Sequence, residues 1–259
     1  MLLTIDVGNT QTVIGLYGRD EASRDLADHW RLATNAARTS DELALLISEF
    51  LGTAGYDWRA DVRGVAISSG VPMVTYELRR MCERYLDLTP LVLEAGVKTG
   101  MPVLYDNPKE VGADRIANAV GAYDLYGGPT IVVDFGTATT FDVISAGGEY
   151  LGGAIVPGIE ISLDALFGRA AALRRVELIE PRSVIGKTTV ESIQSGTIYG
   201  YSALVDGMCD RFDEVLGDTT VIATGGLADL IAPVAESIEH VEPWLTLHGL
   251  RLIWEKNQP

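Results

Sequence analysis

The sequence predicts an α/β protein made of two similar halves, each built around a mixed sheet. The first reason is a motif that occurs twice: an apolar run, Asp-x-Gly, small polar residues and a second apolar run. It is centred on Asp6 and returns at Asp134, about half the chain later. The second reason is that strands come first in each half and then alternate with helices, which is typical of a meander leading into parallel crossovers. The third is the composition, since 47% hydrophobic residues and 28 glycines indicate a folded, turn-rich chain.

The first half contains clear strand and helix signals. Thr39, with Glu42 three residues later, forms the pattern of a capping box ahead of a helix. A second helix begins at Pro72, a residue suited to the first helical turn. The segment 99–111 is rich in proline, glycine and asparagine and is expected to be irregular. The predicted strands are 3–7, 12–17, 28–34, 62–68 and 91–93.

The second half repeats this programme. The last helix of the first half opens at 112–115 and ends at 127–129, and the second half begins there with the strand that carries the second Asp-x-Gly motif. Because the halves begin and proceed alike, the sequence predicts a duplication with domains 1–128 and 129–259. The predicted strands are 130–134, 141–145, 149–156 and 219–223, and the predicted helices follow Pro157-Gly158, span 189–216 and start at 245.

The two Asp-x-Gly turns have the chemistry of phosphate loops. Glycine permits a close approach of ligand to backbone, and turn amides and hydroxyls can donate to phosphate oxygens. An aspartate at the end of the strand can hold a hydrated Mg²⁺. Two facing domains of this kind predict a nucleotide cleft between them. The turn Thr224-Gly225-Gly226 is either an ordinary strand–helix turn or a surface for the adenosine.

The charge limits the classes of partner. The formal net charge is −16, with 36 acidic against 20 basic residues. Such a field repels nucleic acid and anionic membranes, so neither is expected as a partner, and an anionic substrate needs a local basic pocket. The simplest reading of the acidity is solubility.

The remaining composition points to a cytoplasmic protein. Cys82 and Cys209 lie far apart without paired ligand motifs, so neither a disulfide framework nor a zinc site is expected. Three scattered histidines share no metal spacing. The segment before Asp6 is too short for a secretory signal, and no apolar run reaches membrane-spanning length. The histidines are His29, His240 and His248.

A family resemblance rests on several of these motifs together. The paired phosphate loops and the Thr-Gly-Gly turn resemble the superfamily of acetate and sugar kinases, heat-shock chaperones and actin. Within it, the sequence resembles the type III pantothenate kinases over nearly its whole length. The motifs that carry this are Asp6-Val7-Gly8-Asn9-Thr10, Asn107-Pro108, Gly112-Ala113-Asp114-Arg115, Asp134-Phe135-Gly136-Thr137-Ala138-Thr139-Thr140, Gly152-Gly153-Ala154-Ile155, Pro157-Gly158 and Gly186-Lys187-Thr188-Thr189.

The resemblance implies both a fold and an activity. The fold is a pair of actin-like (ribonuclease H-like) domains. The activity is ATP-dependent phosphorylation of pantothenate to 4'-phosphopantothenate, the first step of coenzyme A biosynthesis. ATP with Mg²⁺ or another divalent cation, and K⁺ or NH₄⁺, are the implied cofactors. A homodimer with its substrate pocket near the subunit interface is the implied assembly.

The resemblance also implies roles for individual residues. Asp114 matches the catalytic base, Asp134 the ligand of the monovalent cation, and Asp6 lies where the divalent metal is expected. The implied pantothenate-binding residues are Tyr105, Gly112, Ala113, Asp114, Arg115 and Thr189. The implied nucleotide-binding residues are Asp6, Val7, Gly8, Asn9, Thr10, Gln11, Thr12, Val13 and Thr137.

Ordinary structural roles compete with some of these assignments. A carboxylate such as Asp114 near a helix start can simply cap the helix, although beside a primary hydroxyl it can accept the proton as the hydroxyl attacks phosphate. Arg115 can form a surface ion pair, or its guanidinium can fix a carboxylate or a phosphate oxygen.

Two features depart from familiar patterns. Some relatives carry a lysine just after the first loop, where this chain has Val13, so phosphate charge there must rest on backbone amides and cations. Gly186-Lys187-Thr188 looks like the end of a Walker A loop. The position that should hold the first glycine of that loop is Pro181, so we reject the motif.

Two other functions stay open at this point. The chain can be a non-catalytic nucleotide-binding regulator of the same fold, against which Asp6, Asp114, Asp134 and Thr189 argue. It can also be a kinase of another small acid or sugar, because the phosphate loops recognise only ATP. The segment 112–115 favours pantothenate.

Overall fold

A computed structural model of the chain describes residues 1–18, 25–170 and 173–258. The chain divides into two compact units. The first comprises Met1–Gly100, Asp106–Gly121 and Thr246–Pro259, and the second comprises Met101–Tyr105 and Ala122–Leu245. The C-terminal segment therefore belongs with the first unit. The division into 1–128 and 129–259 describes the two copies of the repeat, and as a domain boundary it stays a prediction.

Ten strands and eight α-helices are found among the described residues. The strands are β1 (Leu2–Val7), β2 (Gln11–Tyr17), β3 (Leu26–Ala33), β4 (Gly64–Ser69), β5 (Leu91–Val92), β6 (Thr130–Phe135), β7 (Ala138–Ile144), β8 (Tyr150–Pro157), β9 (Thr220–Thr224) and β10 (His240–Val241). The helices are α1 (Ser40–Thr53), α2 (Trp58–Asp61), α3 (Pro72–Met81), α4 (Ala113–Tyr126), α5 (Ile159–Arg169), α6 (Thr189–Leu216), α7 (Ala228–Ile231) and α8 (Leu245–Lys256).

Each unit contains a mixed sheet of five strands, and the two sheets have the same topology. The orders are β3-β2-β1-β4-β5 and β8-β7-β6-β9-β10. In each sheet the first three strands along the chain form an antiparallel meander, and the remaining pairings are parallel. The predicted α/β class with duplicated mixed sheets is confirmed. β1 and β6 are the central strands, and each ends in an Asp-x-Gly motif.

One face of the first sheet forms an apolar core with α1 and α3. Alternate residues of β1, such as Leu3 and Ile5, pack in one cluster with Ile47 of α1 and Leu78 of α3. The predicted capping box is present at the start of α1. Thr39 accepts a hydrogen bond from the Glu42 backbone N–H, and the Glu42 carboxylate accepts one from the Thr39 N–H. These contacts fix the helix that covers the core.

The other face of the first sheet carries α8. A Cβ at Gly15 of β2 would lie 2.8 Å from Leu247 Cδ1, and one at Gly64 of β4 would lie 2.5 Å from Trp254 Cζ2. Both distances are shorter than the contacts that real Cβ atoms make, so a residue with a Cβ would clash with the helix side chains at either position. Helix α8 therefore contacts the sheet through glycine positions that admit nothing larger.

The second sheet buries one face against α6. Ile131, Val133 and Phe141 pack in one cluster with Val205 and Cys209 of that helix. In both units the central strand thus presents alternate apolar residues to helices on one face. The aspartate side chain of each Asp-x-Gly motif lies on the opposite face of its sheet, because neighbouring side chains of a strand alternate between the two faces.

The two cysteines are free and buried, one in each unit. Burial raises the pKa of the Cys82 thiol to about 12 and that of Cys209 to about 11. Both thiols are therefore protonated at neutral pH and act as small apolar groups. None of the helices in the described part of the chain is both long and apolar enough to cross a membrane.

The packing of α8 against α4 gives a test of the first unit. A Cβ at Gly249 would overlap the Ala117 carbonyl group, whereas one at Gly52 in α1 meets nothing within 4 Å. We expect Gly249→Ala to lower the free energy of unfolding by about 1–3 kcal/mol or more, because α8 must move away. Gly52→Ala should raise it by up to about 1 kcal/mol through helix propensity.

Chemical denaturation of both variants, followed by circular dichroism, measures the two changes. Equal stability of the two variants would show that α8 does not pack closely on Ala117.

Candidate active site

The first Asp-x-Gly turn is fastened by a residue from the end of β3. The Gly8 N–H donates to the Gln11 carbonyl at 3.0 Å, which closes a four-residue turn between Val7 and Thr12. The Thr34 hydroxyl donates to the Gly8 carbonyl at 2.8 Å, and the Thr34 N–H donates to the Thr10 carbonyl at 2.9 Å. The turn is held in one shape, while the side chains at 9–11 are exposed.

Asp6 lies in a row of side chains on one face of the first sheet. It pairs with Val13 on β2 and with Ser68 on β4. Val13 in turn pairs with Arg31 on β3, whose side chain is exposed. Directly paired residues share a face of the sheet. Asp6 therefore has a hydroxyl on one side and, beyond the small Val13, a guanidinium on the other.

Ser68 adds an unusual feature to this row. Its hydroxyl oxygen is buried and has no hydrogen-bond partner among the described residues. A buried hydroxyl normally has a partner. A cation with its water shell, held by Asp6, would supply one, so the residues present fit a hydrated divalent metal.

The second turn is one residue shorter than the first. The Gly136 N–H donates to the Ala138 carbonyl at 3.1 Å, and Phe135 pairs with Thr139 across a three-residue turn. The register moves accordingly, and Asp134 pairs with Thr140. Alignment of the two sequence copies would instead place Phe141 there, as the counterpart of Val13. The shorter turn keeps Phe141 in the core and gives Asp134 a hydroxyl neighbour.

Asp134 is packed against the Thr-Gly-Gly turn. It pairs with Thr224 on β9, and a Cβ at Gly225 would lie 2.5 Å from Asp134 Oδ1. Gly225 also has a φ of +92°, in the region that favours glycine. Asp134 therefore lies between the hydroxyl residues Thr140 and Thr224, next to a bare backbone. Oxygen ligands of this type fit a monovalent cation.

The second turn is also covered by the start of α5. A Cβ at Gly158 would overlap the carbonyl groups of Gly136 and Thr137. Gly158 is the N-cap residue of α5. The Pro157-Gly158 motif therefore has a packing reason, since it lets the chain cross directly over the second phosphate loop. The Thr137 side chain is exposed at this point.

Asp114 lies in the first turn of α4, in the first unit. Its Oδ1 accepts a hydrogen bond from the Arg115 N–H at 2.8 Å and occupies the space where a Cβ on Gly112 would be. The side chain is exposed, and no described residue donates a hydrogen bond to Oδ2. One oxygen thus accepts from a backbone N–H in the first turn of the helix, and the other is open to a ligand. Arg115 is buried.

Tyr105 and Thr189 both lie in the second unit. The Tyr105 ring packs against Gly152, where a Cβ would be 3.3 Å from its Cδ2 and Cε2 atoms. Thr189 is the first residue of α6 and lines a pocket of about 440 Å³ between α5 and α6. The pocket walls include Leu163 and Leu166 on one side and Ile193 on the other. Among the described residues, no lysine or arginine lines it.

The Walker-like residues serve to start α6. The Thr188 hydroxyl accepts from the Glu191 N–H at 3.2 Å, and the Lys187 N–H donates to Glu191 Oε2 at 2.8 Å. That backbone hydrogen bond, and to a smaller degree Arg182, lower the pKa of Glu191. The Glu191 carboxylate therefore occupies the start of α6, where a Walker A loop would bind a phosphate.

No cluster of three or more metal-ligating side chains is found in the described ranges. Asp6 and Asp134 each have hydroxyl residues as neighbours in the sheet. Mg²⁺ is commonly held in this way, by one or two carboxylates together with water and substrate phosphates. The arrangement thus suits metal ions that arrive with a nucleotide.

Sequence reasoning missed three contributors to these sites. Thr34 fastens the first turn, Thr140 faces Asp134, and Arg31 shares the face of Asp6. The alternation of β3 could have placed Arg31, since the strand itself was predicted. Thr140 depends on the length of the second turn and Thr34 on how the end of β3 meets the first turn, and the sequence carries no comparable signal for either.

Solved structures share this fold. A Campylobacter jejuni protein assigned to the Baf family of transcriptional activators superimposes with a TM-score of 0.61 at 19% identity, over 98% of both chains. The inorganic polyphosphate/ATP-glucomannokinase of Arthrobacter sp. strain KM gives a TM-score of 0.51 at 15% identity, over 99% of both chains. At these identities the likeness concerns the fold alone. It confirms the predicted α/β fold of duplicated actin-like domains.

Sequence relatives are much closer. The type III pantothenate kinase of Streptomyces avermitilis is 56% identical over 265 residues, which cover 99% of this chain and 98% of that protein. The type III pantothenate kinase of Acidothermus cellulolyticus is 55% identical over 262 residues and all of both chains. The family model for type III pantothenate kinase matches residues 2–211. With both phosphate loops and the Asp114 segment inside that match, the chain belongs to the type III pantothenate kinase family.

Proposed function

We propose that this protein transfers the γ-phosphoryl group of ATP to the primary hydroxyl of pantothenate. The product is 4'-phosphopantothenate, and the reaction is the first step of coenzyme A biosynthesis. The observation that carries the proposal is the full-length identity of 51–56% to type III pantothenate kinases. The direct test is release of ADP on addition of pantothenate.

In the proposed mechanism, Asp114 is the general base. The acceptor hydroxyl is a poor nucleophile while it keeps its proton, and a carboxylate within hydrogen-bond reach can accept that proton during attack. Oδ1 of Asp114 already accepts a hydrogen bond from the Arg115 N–H at 2.8 Å, whereas Oδ2 is open. The open Oδ2 atom supports this role, because it can accept the proton of the substrate hydroxyl. The helix contact orients the carboxylate through Oδ1 and leaves Oδ2 open.

The residues Asp6 to Val13 would hold the phosphates of ATP, with Thr137 as a further nucleotide contact. Phosphoryl transfer depends mainly on in-line positioning and charge neutralisation. The first Asp-x-Gly turn, which Thr34 holds in one shape, suits in-line positioning of the phosphates. When bound, Mg²⁺ at Asp6 would neutralise charge on the phosphate oxygens.

The net charge of −16 makes local cations necessary for two anionic substrates. We propose that Arg31, on the same face of the sheet as Asp6, supplies the positive charge that the uncharged Val13 lacks. Arg115 would fix an anionic group of the substrate, and K⁺ or NH₄⁺ at Asp134 would add charge in the second unit. Tyr105, the segment 112–115 and Thr189 would bind pantothenate.

Assembly and location are part of the same proposal. The pantothenate-binding residues are expected to work in a homodimer, and the enzyme is expected to act in the cytoplasm without nucleic acid or membrane partners. Light scattering on the purified protein measures the assembly directly.

A second candidate function is a nucleotide-binding regulator without catalysis. It is favoured by one observation, the fold shared with the Baf family protein at 19% identity. A regulator would bind ATP but release no ADP with pantothenate. A kinase of another small acid would release ADP with a different acceptor, so a panel of acceptors separates all three.

Replacement of the proposed base should stop turnover without loss of ATP binding. We expect Asp114→Asn to lower kcat by about 10²-fold or more, because Asn keeps the shape but accepts no proton. The matched control is Asp41→Asn, another exposed first-turn aspartate, whose carboxylate accepts from Arg84 and Tyr85. Near-wild-type kcat in Asp114→Asn would reduce Asp114 to a helix-start residue.

Thr189 is expected to contribute to binding of the acceptor, pantothenate, and not to binding of ATP. We expect Thr189→Val to raise the KM for pantothenate much more than the KM for ATP, since the lost hydroxyl lines the pocket. The control is Thr188→Val, which removes the cap of α6 and should cost about 1 kcal/mol of stability. Equal increases of both KM values in Thr189→Val would favour a structural role.

The monovalent cation should depend on Asp134. We expect turnover at fixed ionic strength to be higher in K⁺ and NH₄⁺ than in Na⁺, because Na⁺ is smaller and keeps its water more strongly. Asp134→Asn should abolish this difference and weaken ATP use, whereas Asp210→Asn, an equal charge change on α6, should not. Equal wild-type rates in the three salts would exclude the cation role of Asp134.

A further inference from the structure

A carboxylate without a role in the chemistry above is buried in the second unit. Asp142 on β7 is 0% exposed. It accepts hydrogen bonds from the Tyr150 hydroxyl at 2.8 Å on Oδ1 and from the Thr140 hydroxyl at 3.3 Å on Oδ2. A buried carboxylate is costly unless it is hydrogen-bonded, so these contacts define where Asp142 can lie. They connect it to Thr140, the neighbour of Asp134, and to Tyr150.

Tyr150 fastens the chain segment that leads to Tyr105. Its backbone N–H donates to the Pro102 carbonyl at 2.9 Å, and its carbonyl accepts from the Leu104 N–H at 2.8 Å. Val103 thereby forms an isolated parallel bridge with Tyr150 beside the edge strand β8. Tyr105 is the next residue but one along the chain. The position of Tyr150 therefore decides where this segment lies.

The side chain of Tyr150 also supports Tyr105 directly. The two ring centroids are 6.5 Å apart and the planes are inclined by 53°. Tyr150 is fully buried, whereas Tyr105 is 37% exposed. The buried ring is thus one of the supports beneath an exposed ring, and the bare backbone of Gly152 is another. A shift of Tyr150 would move both the chain and the ring of Tyr105.

We propose that Asp142 is a positioning residue for the acceptor substrate, acting through Tyr150 on Tyr105. The inference rests on the proposed function, in which Tyr105 contacts pantothenate. Asp142 itself is too deeply buried to touch the substrate. Its carboxylate fixes the hydroxyl of Tyr150, which fixes the platform on which Tyr105 lies. Loss of the contact affects acceptor affinity and leaves the nucleotide loops in place.

The first test is the Tyr150→Phe variant, which keeps the ring and removes the hydroxyl. We expect the KM for pantothenate to rise about fivefold to tenfold, the scale of one lost intramolecular hydrogen bond, with a much smaller change in the KM for ATP. Asp142→Asn should shift the same KM in the same direction. Equal shifts of both KM values would overturn the proposal.

A matched control lies at the opposite edge of the same sheet. The Tyr126 hydroxyl donates to the Glu242 carboxylate at 2.5 Å, just after β10. Tyr126→Phe removes the same kind of contact from the same unit. It should lower stability comparably and leave the KM for pantothenate unchanged. A similar rise of that KM in Tyr126→Phe would show that general loosening of the unit, and not Tyr150, is responsible.

A double-mutant cycle tests the route through Tyr105. In a Tyr105→Ala background, Tyr150→Phe should raise the KM for pantothenate no further, because the ring that it positions is absent. Additive effects of the two changes would overturn the proposal.

A measurement without substrate separates this inference from the proposed function. Hydrogen exchange of the peptide that contains Leu104 should be faster in Tyr150→Phe than in the wild type and unchanged in Tyr126→Phe. Unchanged exchange in Tyr150→Phe would overturn the positioning role, whatever the acceptor. A wild type that releases no ADP with pantothenate would instead overturn the proposed function, while faster exchange would still support the structural link.

Discussion

Each candidate metal site depends on one constraint, a carboxylate at the end of the central strand of its own sheet. β1 and β6 are third of five strands, and each buries alternate apolar residues against helices. The opposite face is then the place for charge, and Asp6 and Asp134 lie there. Because side chains alternate along a strand, a shift of one residue would put either carboxylate into an apolar core. The position of each carboxylate is in this sense fixed by the packing of the strands.

Most of the fold could be predicted because its signals are local. Apolar runs gave the strands, Thr39 and Glu42 gave the start of α1, and Pro72 gave the start of α3. The repeat gave the shared sheet topology. The boundaries of the compact units were less accessible, since the packing of α8 on the first sheet depends on Gly15 and Gly64, which are far away in sequence.

The surroundings of the carboxylates could be predicted only in part. The residues themselves were evident, but the two turns differ in length by one residue, and this difference decides what faces Asp134. A hydrogen bond of the Gly136 N–H to Ala138, instead of to a residue one further on, moves Thr140 into that place. The energies that separate such turns are small, and a pattern of residue types does not resolve them.

The segment that carries Tyr105 is held by a different kind of structure from the two Asp-x-Gly turns. Each loop joins two ladder strands, and its position follows from the sheet. Tyr105 lies in an irregular segment with two backbone hydrogen bonds to Tyr150, so tertiary contacts must specify it. The fold shared with the glucomannokinase shows that similar sheets occur with a different named acceptor. Segments outside the sheets are where function commonly concentrates. In this chain Tyr150 holds such a segment by two backbone hydrogen bonds, and the buried Asp142 in turn holds the Tyr150 hydroxyl.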